Sequence, residues 1–312
     1  MTSYLLYRLA SLASNLLPRA AGNWVALRAA DLCYLSWRSV RQAVRANLRT
    51  ILGPDASEAH LRYQTLWTFR CFGKYMAEFV GNRRYDASFI DRCVTFRGIE
   101  HFDAARRAGR GAVLVSAHLG NWELGGAAMS CRGTPVLAIV QPHPNARVHR
   151  FFMSQRESLH YRVLPVGAAA LPILRHLRSN GIVALLGDRP YGEEGVVVDF
   201  CGRPALFASG PARLALATGT PMIPAFVLRR YDDSFTIVLE PPIPHPAGGA
   251  HEDRVRRMMQ DFARVLEDRV RDNPSQWLAF YPVWDGPGRA QADPRLRAGS
   301  EMPAAIRHRI GG

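Results

Sequence analysis

Two hydrophobic textures divide the chain. Up to about residue 81 apolar positions recur at helical intervals, as in Tyr4, Leu5, Leu9, Leu12 and Leu16, and again in Leu61, Leu66, Phe69, Phe72 and Met76. A period near 3.6 predicts amphipathic helices from Leu5 to about Leu52 and from Glu58 to about Gly81. From Gly111 onward short apolar runs alternate with helix-period segments. Ala112 to Ser116, Val136 to Val140, Val163 to Val166, Ile182 to Leu186, Met222 to Val227 and Phe235 to Leu239 read as strands. The stretches near Trp122 to Ser130, Ala146 to His160, Ala169 to Ser179 and Pro211 to Thr218 read as helices, with Ser209 placed to cap the last of them. Such alternation predicts an α/β fold with a mixed, mostly parallel central sheet flanked by helices. A late helix follows, with Val255, Met258, Met259, Phe262, Leu266 and Val270 on one face and Asn273-Pro274 at its end. After residue 285 the chain is rich in Gly, Pro, Ala and Arg without apolar period, which predicts a flexible tail. The expected organisation is an N-terminal helical region over residues 1–85, an α/β core over 86–285 and a tail over 286–312, treated as one domain.

Charge narrows the partners. Lys and Arg outnumber Asp and Glu by 40 to 26 in 312 residues, a formal +14, so anionic partners are favoured: a phospholipid surface, nucleic acid or an acidic carrier protein. Nucleic acid is set aside, because the arginines are spread over the whole chain and no binding motif is readable. In the N-terminal helices Arg8, Arg19, Arg28, Arg38, Arg41, Arg45 and Arg49 are opposed only by Asp31 up to Leu52. Two readings fit them: basic amphipathic helices docked on a membrane surface, or an ordinary helical subdomain with its arginines in water. Spanning a bilayer takes roughly 20 apolar residues, and no window reaches that without a charge, so attachment is expected to be peripheral. Five scattered cysteines without a CxxC pair suit a reducing compartment, and the histidines lack metal-ligand spacing, so no metal is expected. The P-loop, the G-x-S-x-G elbow and the dinucleotide fingerprint are all missing from the sequence.

The most informative stretch is His118-Leu-Gly-Asn-Trp-Glu123, which follows the buried-strand run Gly111-Ala-Val-Leu-Val-Ser-Ala117. His118 therefore emerges at a strand's carboxyl end, where open α/β sheets hold their sites. Asn121 is a good N-cap for a helix beginning at Trp122, which places Glu123 in its first turn, folded back toward His118. A histidine with one ring nitrogen held by a carboxylate keeps the other available as a base for an alcohol proton. Gly120, Gly125 and Gly126 leave room for close approach. Standing alone, the same residues read as well as a helix-dipole glutamate and a satisfied polar histidine. Asp188 and Arg189 follow the strand run Ile182 to Leu186 and belong at the same end of the sheet, although Asp-x-Pro-x-Gly is also ordinary turn chemistry. Glu193 and Glu194 are weaker candidates in that loop.

Gly111 to Gly125 resembles the catalytic block of the bacterial lipid A late acyltransferases, a group similar also to acyltransferases of mycobacterial phosphatidylinositol mannosides and, more distantly, to glycerol-phosphate acyltransferases. Further blocks follow in order. Gly187-Asp-Arg-Pro-Tyr-Gly to Gly202 resembles the second block, Ala208 to Pro224 the next helix and strand, and Pro274-Ser-Gln-Trp to Trp284 the closing segment, where Phe280-Tyr-Pro departs from the usual ending. Tyr7-Arg-Leu and Asn47-Leu-Arg are similar to the family's amphipathic opening. The resemblance implies a glycerolipid acyltransferase-like fold and acyl transfer from acyl carrier protein or coenzyme A, as cosubstrate with no other cofactor, to a hydroxyl of a lipid or glycolipid such as a lipid A precursor. It implies His118 as general base, Glu123 as the residue that orients and charge-balances it, and Arg156 as a holder of an anionic headgroup or of the oxyanion, with Asp188, Arg189 and Asn121 also on the substrate. A solvated helix arginine is the plainer reading of Arg156. The implied place is the cytoplasmic face of the bacterial inner membrane. Other acceptors, a phosphatidylinositol mannoside or an ornithine-type lipid, and a non-transferring lipid-binding or thioesterase protein of the same fold, stay open.

Overall fold

The computed structural model describes residues 2–82, 85–134, 136–159, 161–167, 170–190 and 195–284. The expected tail, together with Glu193 and Glu194, lies outside the described residues. The chain packs as two units, Met1–Arg84 with Arg269–Gly312, and Tyr85–Asp268.

The first unit is helical: α1 (Thr2–Leu16), α2 (Arg19–Ser36), α3 (Arg38–Leu52) and α4 (Glu58–Val80). Pro18 separates α1 from α2, and the side chain of Ser57 caps α4 by accepting from the amide of His60. The segment after Asn273 packs here rather than on the α/β core to which its sequence position assigned it. Asn47, 3% exposed on α3, accounts for this: its amide donates to the carbonyls of Ala279 (3.0 Å) and Tyr281 (2.7 Å), and its oxygen accepts from the amide of Val283. Phe280 adds an edge-on contact with Phe69, centroids 5.2 Å apart. Among the described residues no helix is long and apolar enough to cross a membrane.

The second unit is the α/β core. Its strands and helices run α5 (Ala87–Cys93), β1 (Val94–Arg97), α6 (Ile99–Arg107), β2 (Ala112–Ser116), α7 (Trp122–Cys131), β3 (Val136–Val140), α8 (Ala146–Glu157), β4 (Arg162–Pro165), α9 (Ala170–Arg178), β5 (Ile182–Leu186), β6 (Val196–Phe200), β7 (Arg203–Phe207), α10 (Gly210–Thr218), β8 (Met222–Arg229), β9 (Phe235–Leu239) and, as far as Asp268, α11 (His251–Asp272). Seven strands form one sheet in the order β1-β9-β8-β2-β5-β3-β4, parallel throughout except between β8 and β9. The mixed, mostly parallel sheet expected from the alternation is thus present. The antiparallel β6–β7 hairpin stands apart from it.

Strand β2 sits in the middle, and its sequence shows why. Ala112, Val113 and Val115 are fully buried, because helices cover both faces of the sheet; such a strand needs an unbroken apolar run. Ala112 and Leu114 join a core with Leu124, Ala127 and Ala128 of α7 and Ile223 of β8. Val115 points the other way, toward Phe262 of α11, which stacks on Phe226 with centroids 6.3 Å apart. Gly187, just past β5, fits between them: a Cβ there would lie 2.8 Å from both Phe262 and Val115. A methyl group in that space overpacks the layer, typically at about 1–3 kcal/mol.

Candidate active site

Strand register builds the centre of the site. Strands β2 and β5 are hydrogen-bonded parallel neighbours, with Ser116 opposite Leu186. His118 and Asp188 each lie two residues further on, and in a parallel pair equal offsets end side by side. The loop is tied down on both flanks. The amide of Gly187 donates to the carbonyl of Ser116 (2.7 Å), and that of Asn121 donates to the carbonyl of Val227 on β8 (3.0 Å). Gly120 makes the tight turn with φ of +68°, which a side chain would strain.

Asp188 is 1% exposed, and both of its oxygens serve His118: Oδ2 accepts from the backbone amide (3.0 Å) and Oδ1 lies 2.9 Å from ring Nδ1. A carboxylate accepts only, so this pairing places the ring proton on Nδ1 and leaves the lone pair on Nε2. Among the described residues nothing bonds Nε2. The imidazole, 13% exposed, rests edge-on against Trp122, centroids 5.1 Å apart. A buried acceptor on one nitrogen and a partly solvent-reached lone pair on the other is the arrangement a general base requires.

Glu123 is placed differently from its expected role. It does occupy the first turn of α7, 5% exposed, but its carboxylate is held by partners other than the histidine ring. Arg156, in the last turn of α8, donates from Nε to both oxygens (3.1 and 3.2 Å) and from Nη2 to Oε1 (2.6 Å). The hydroxyl of Tyr161, next to β4, donates to Oε2. The carboxylate that orients His118 is therefore that of Asp188, because β5 is the neighbour of β2, whereas α7 turns Glu123 toward the β4 side. The pairing also bears on Arg156, for which a headgroup or oxyanion role was expected: it is 14% exposed and its fork is engaged internally by Glu123.

The remaining candidates divide. The oxygen of Asn121, 1% exposed, accepts from the amide of Leu124, so this residue caps α7. Arg189 follows Asp188 and is half-buried. The room at Gly125 and Gly126 is filled from within, since a Cβ would lie 2.9 Å from Val227 at the first and 3.0 Å from the Tyr161 ring at the second. Ser209 stands before α10 but makes no side-chain cap; its hydroxyl accepts from Arg213 Nε (3.2 Å). Tyr161 escaped sequence reasoning, since one tyrosine ahead of a short strand carries no motif.

Comparison with known proteins now adds what geometry alone does not. The model of the bacterial lipid A biosynthesis acyltransferase family matches residues 3–285. The chain belongs to that family. It is similar to a phosphatidylinositol mannoside acyltransferase of Mycobacterium tuberculosis (strain ATCC 25618 / H37Rv), 28% identical over 288 residues that cover 85% of this chain and 87% of the relative. A protein of the same description from Mycolicibacterium smegmatis is 28% identical over 60% of each chain. A lipid A biosynthesis acyltransferase of Haemophilus influenzae is 26% identical over 42% of each. This family member is accordingly a lipid O-acyltransferase, and the His118–Asp188 pair joins the two sequence blocks, Gly111 to Gly125 and Gly187 to Gly202, that carried the resemblance.

Proposed function

We propose that this acyltransferase moves a fatty acyl chain from a thioester of acyl carrier protein or coenzyme A to a hydroxyl on a glycolipid acceptor, with His118 as general base. The observation that carries this reading is the 2.9 Å contact between Asp188 and Nδ1, which leaves Nε2 as the basic nitrogen. His118 Nε2 takes the hydroxyl proton as the oxygen attacks the thioester carbonyl, and the new C–O bond forms while charge builds on the carbonyl oxygen. Collapse of that intermediate breaks the C–S bond, and the proton returns from the imidazolium to the departing thiolate. Asp188 keeps its negative charge beside the imidazolium throughout and so lowers the barrier to forming it. Backbone amides at the start of α7, the helix that follows His118, would hold the oxyanion. No covalent acyl-enzyme is required.

A lipid A precursor is the first acceptor to try, from the family's description. A phosphatidylinositol mannoside is the second, because relatives of that description match over most of their length. The place of work we propose is the cytoplasmic face of the inner membrane, with peripheral attachment through α1 and α2, where Leu9, Leu12, Leu16, Trp24 and Leu32 are all more than half exposed. The test is to incubate the purified protein with acyl carrier protein and coenzyme A thioesters and a panel of lipids, reading products by mass spectrometry. Acyl transfer to a glycolipid that disappears in His118→Ala is the expected result. Hydrolysis of the thioester with no acylated lipid would contradict it and favour a thioesterase.

A further inference from the structure

The helical unit contains an apolar cavity of about 240 Å³ that has no part in the chemistry above. It lies where α1, α2 and α4 turn apolar faces toward one another, and small residues create it: Ala10 and Ala13 on α1, Gly22 and Ala29 on α2, Gly73 and Ala77 on α4. Helices α2 and α4 are in close contact, with a Cβ on Gly73 only 2.8 Å from the carbonyl oxygen of Ala26. Helix α1 is fixed to the end of α4 by the Ser11 hydroxyl, which donates to the carbonyl of Val80 at 2.7 Å. Both α1 and α2 thus lean on α4 while touching each other little, and a seam is left between them. Ala10 and Ala29, which line the cavity, are exposed at that seam, and Val25 beside them is 46% exposed.

Shape and chemistry select the occupant. The lining on this side runs from Leu6 on α1 to Leu17 just past its end, about 16 Å at the helical rise of about 1.5 Å per residue. A slot of this length and volume holds one extended hydrocarbon chain and has no room for a headgroup as well. Its walls are almost wholly carbon, and apolar cavities of even about 150 Å³ stay dry and take apolar molecules. Burial pushes the Cys33 thiol on the same wall up to about 11, as a dry surrounding does. On the outer sides of the same two helices Leu5, Leu9, Leu12 and Leu16 form one exposed stripe, with Trp24, Leu32 and Leu35 on the other helix. Residues 1–84 carry twelve Lys and Arg against four Asp and Glu, a charge that complements an anionic lipid surface.

We infer that this slot receives one acyl chain of an anionic bilayer phospholipid, which enters through the seam between α1 and α2 while its headgroup stays outside among the arginines. The inference rests on peripheral docking through these helices and adds a lipid-binding site to it. Docking itself rests on the surface leucines and charge, and the slot adds one chain held inside the protein.

The experiment uses the full-length protein and phosphatidylglycerol–phosphatidylcholine vesicles containing a trace of phosphatidylglycerol with a photoactivatable diazirine acyl chain. Cross-linked peptides are mapped by mass spectrometry. Labelling of inward residues such as Ala13, Ala30 and Met76 is expected. In Gly22→Leu, where the new side chain starts in open space with nothing within 4 Å of its Cβ, inward labelling should vanish while vesicle binding stays within about twofold. Retained vesicle binding with labels confined to Leu5, Leu9, Leu12, Leu16 and Leu32 would overturn the slot and leave docking standing. Loss of binding to anionic vesicles in the wild type would overturn both, as would cross-links that join two copies of the chain through α1 and α2.

Discussion

Two buried carboxylates flank the start of α7, and their neighbourhoods differ in kind. Asp188 gives both oxygens to one histidine, whose second nitrogen has no partner among the described residues. Glu123 is met by a guanidinium and a phenol, so its charge is balanced by a cation that never loses its proton. The first arrangement has a nitrogen left over for chemistry. The second is closed, and it ties α7 to α8 and to the approach to β4. Burial alone does not separate them, since they are 1% and 5% exposed. What separates them is whether the partner has a further site to offer.

Substitutions should therefore split into losses of rate and losses of stability. The largest effect is expected for His118→Ala, a fall in kcat of about 10²–10⁴-fold measured well below the melting transition. Asp188→Asn should follow closely, because an amide can present its NH2 to Nδ1 and stabilise the wrong tautomer; a drop of about 10²-fold or more with little change in KM is expected from steady-state kinetics. Glu123→Gln acts mainly on the fold. It leaves the Arg156 charge poorly compensated at 14% exposure, for a cost of about 3 kcal/mol, or roughly 6–12 °C in Tm for a unit of this size. Its kcat well below the melting transition should fall much less than that of Asp188→Asn. Pairing it with Arg156→Met should restore part of the lost stability, which calorimetry of the four-member cycle would read. Tyr161→Phe is the mildest, about 1 kcal/mol for one lost hydrogen bond. A Glu123→Gln protein of normal stability and no activity would erase the distinction.

Most of the architecture was legible in the sequence because it is local. The runs Ala112 to Ser116, Val136 to Val140, Ile182 to Leu186 and Phe235 to Leu239 coincide with β2, β3, β5 and β9, since strands covered on both faces need continuous apolar stretches. Strand β1 escaped because Val94–Arg97 alternates apolar and polar over only four residues, too few for a periodic signal. The β6–β7 hairpin escaped too, as its turn at Cys201-Gly202 carries no strong hairpin pair. His118 and Asp188 could each be placed at a strand's end, yet which carboxylate meets the ring depends on β5 lying beside β2. Strand order is a long-range property, and the five-residue spacing of His118 and Glu123 suggested a nearer partner. The packing of Trp277 to Phe280 with the N-terminal helices is hidden for the same reason: it hangs on Asn47, more than 200 residues away.

Imidazole 15N shifts test the central point most directly, with the His118 resonances assigned by their loss in His118→Gln. In the neutral ring of the wild-type protein Nδ1 should carry the proton and Nε2 should be bare. Asp188→Asn should move the proton toward Nε2, and Glu123→Gln should leave the tautomer as it is. A His118 tautomer that is indifferent to Asp188→Asn but inverted by Glu123→Gln would contradict the Asp188-held base and return the orienting role to Glu123.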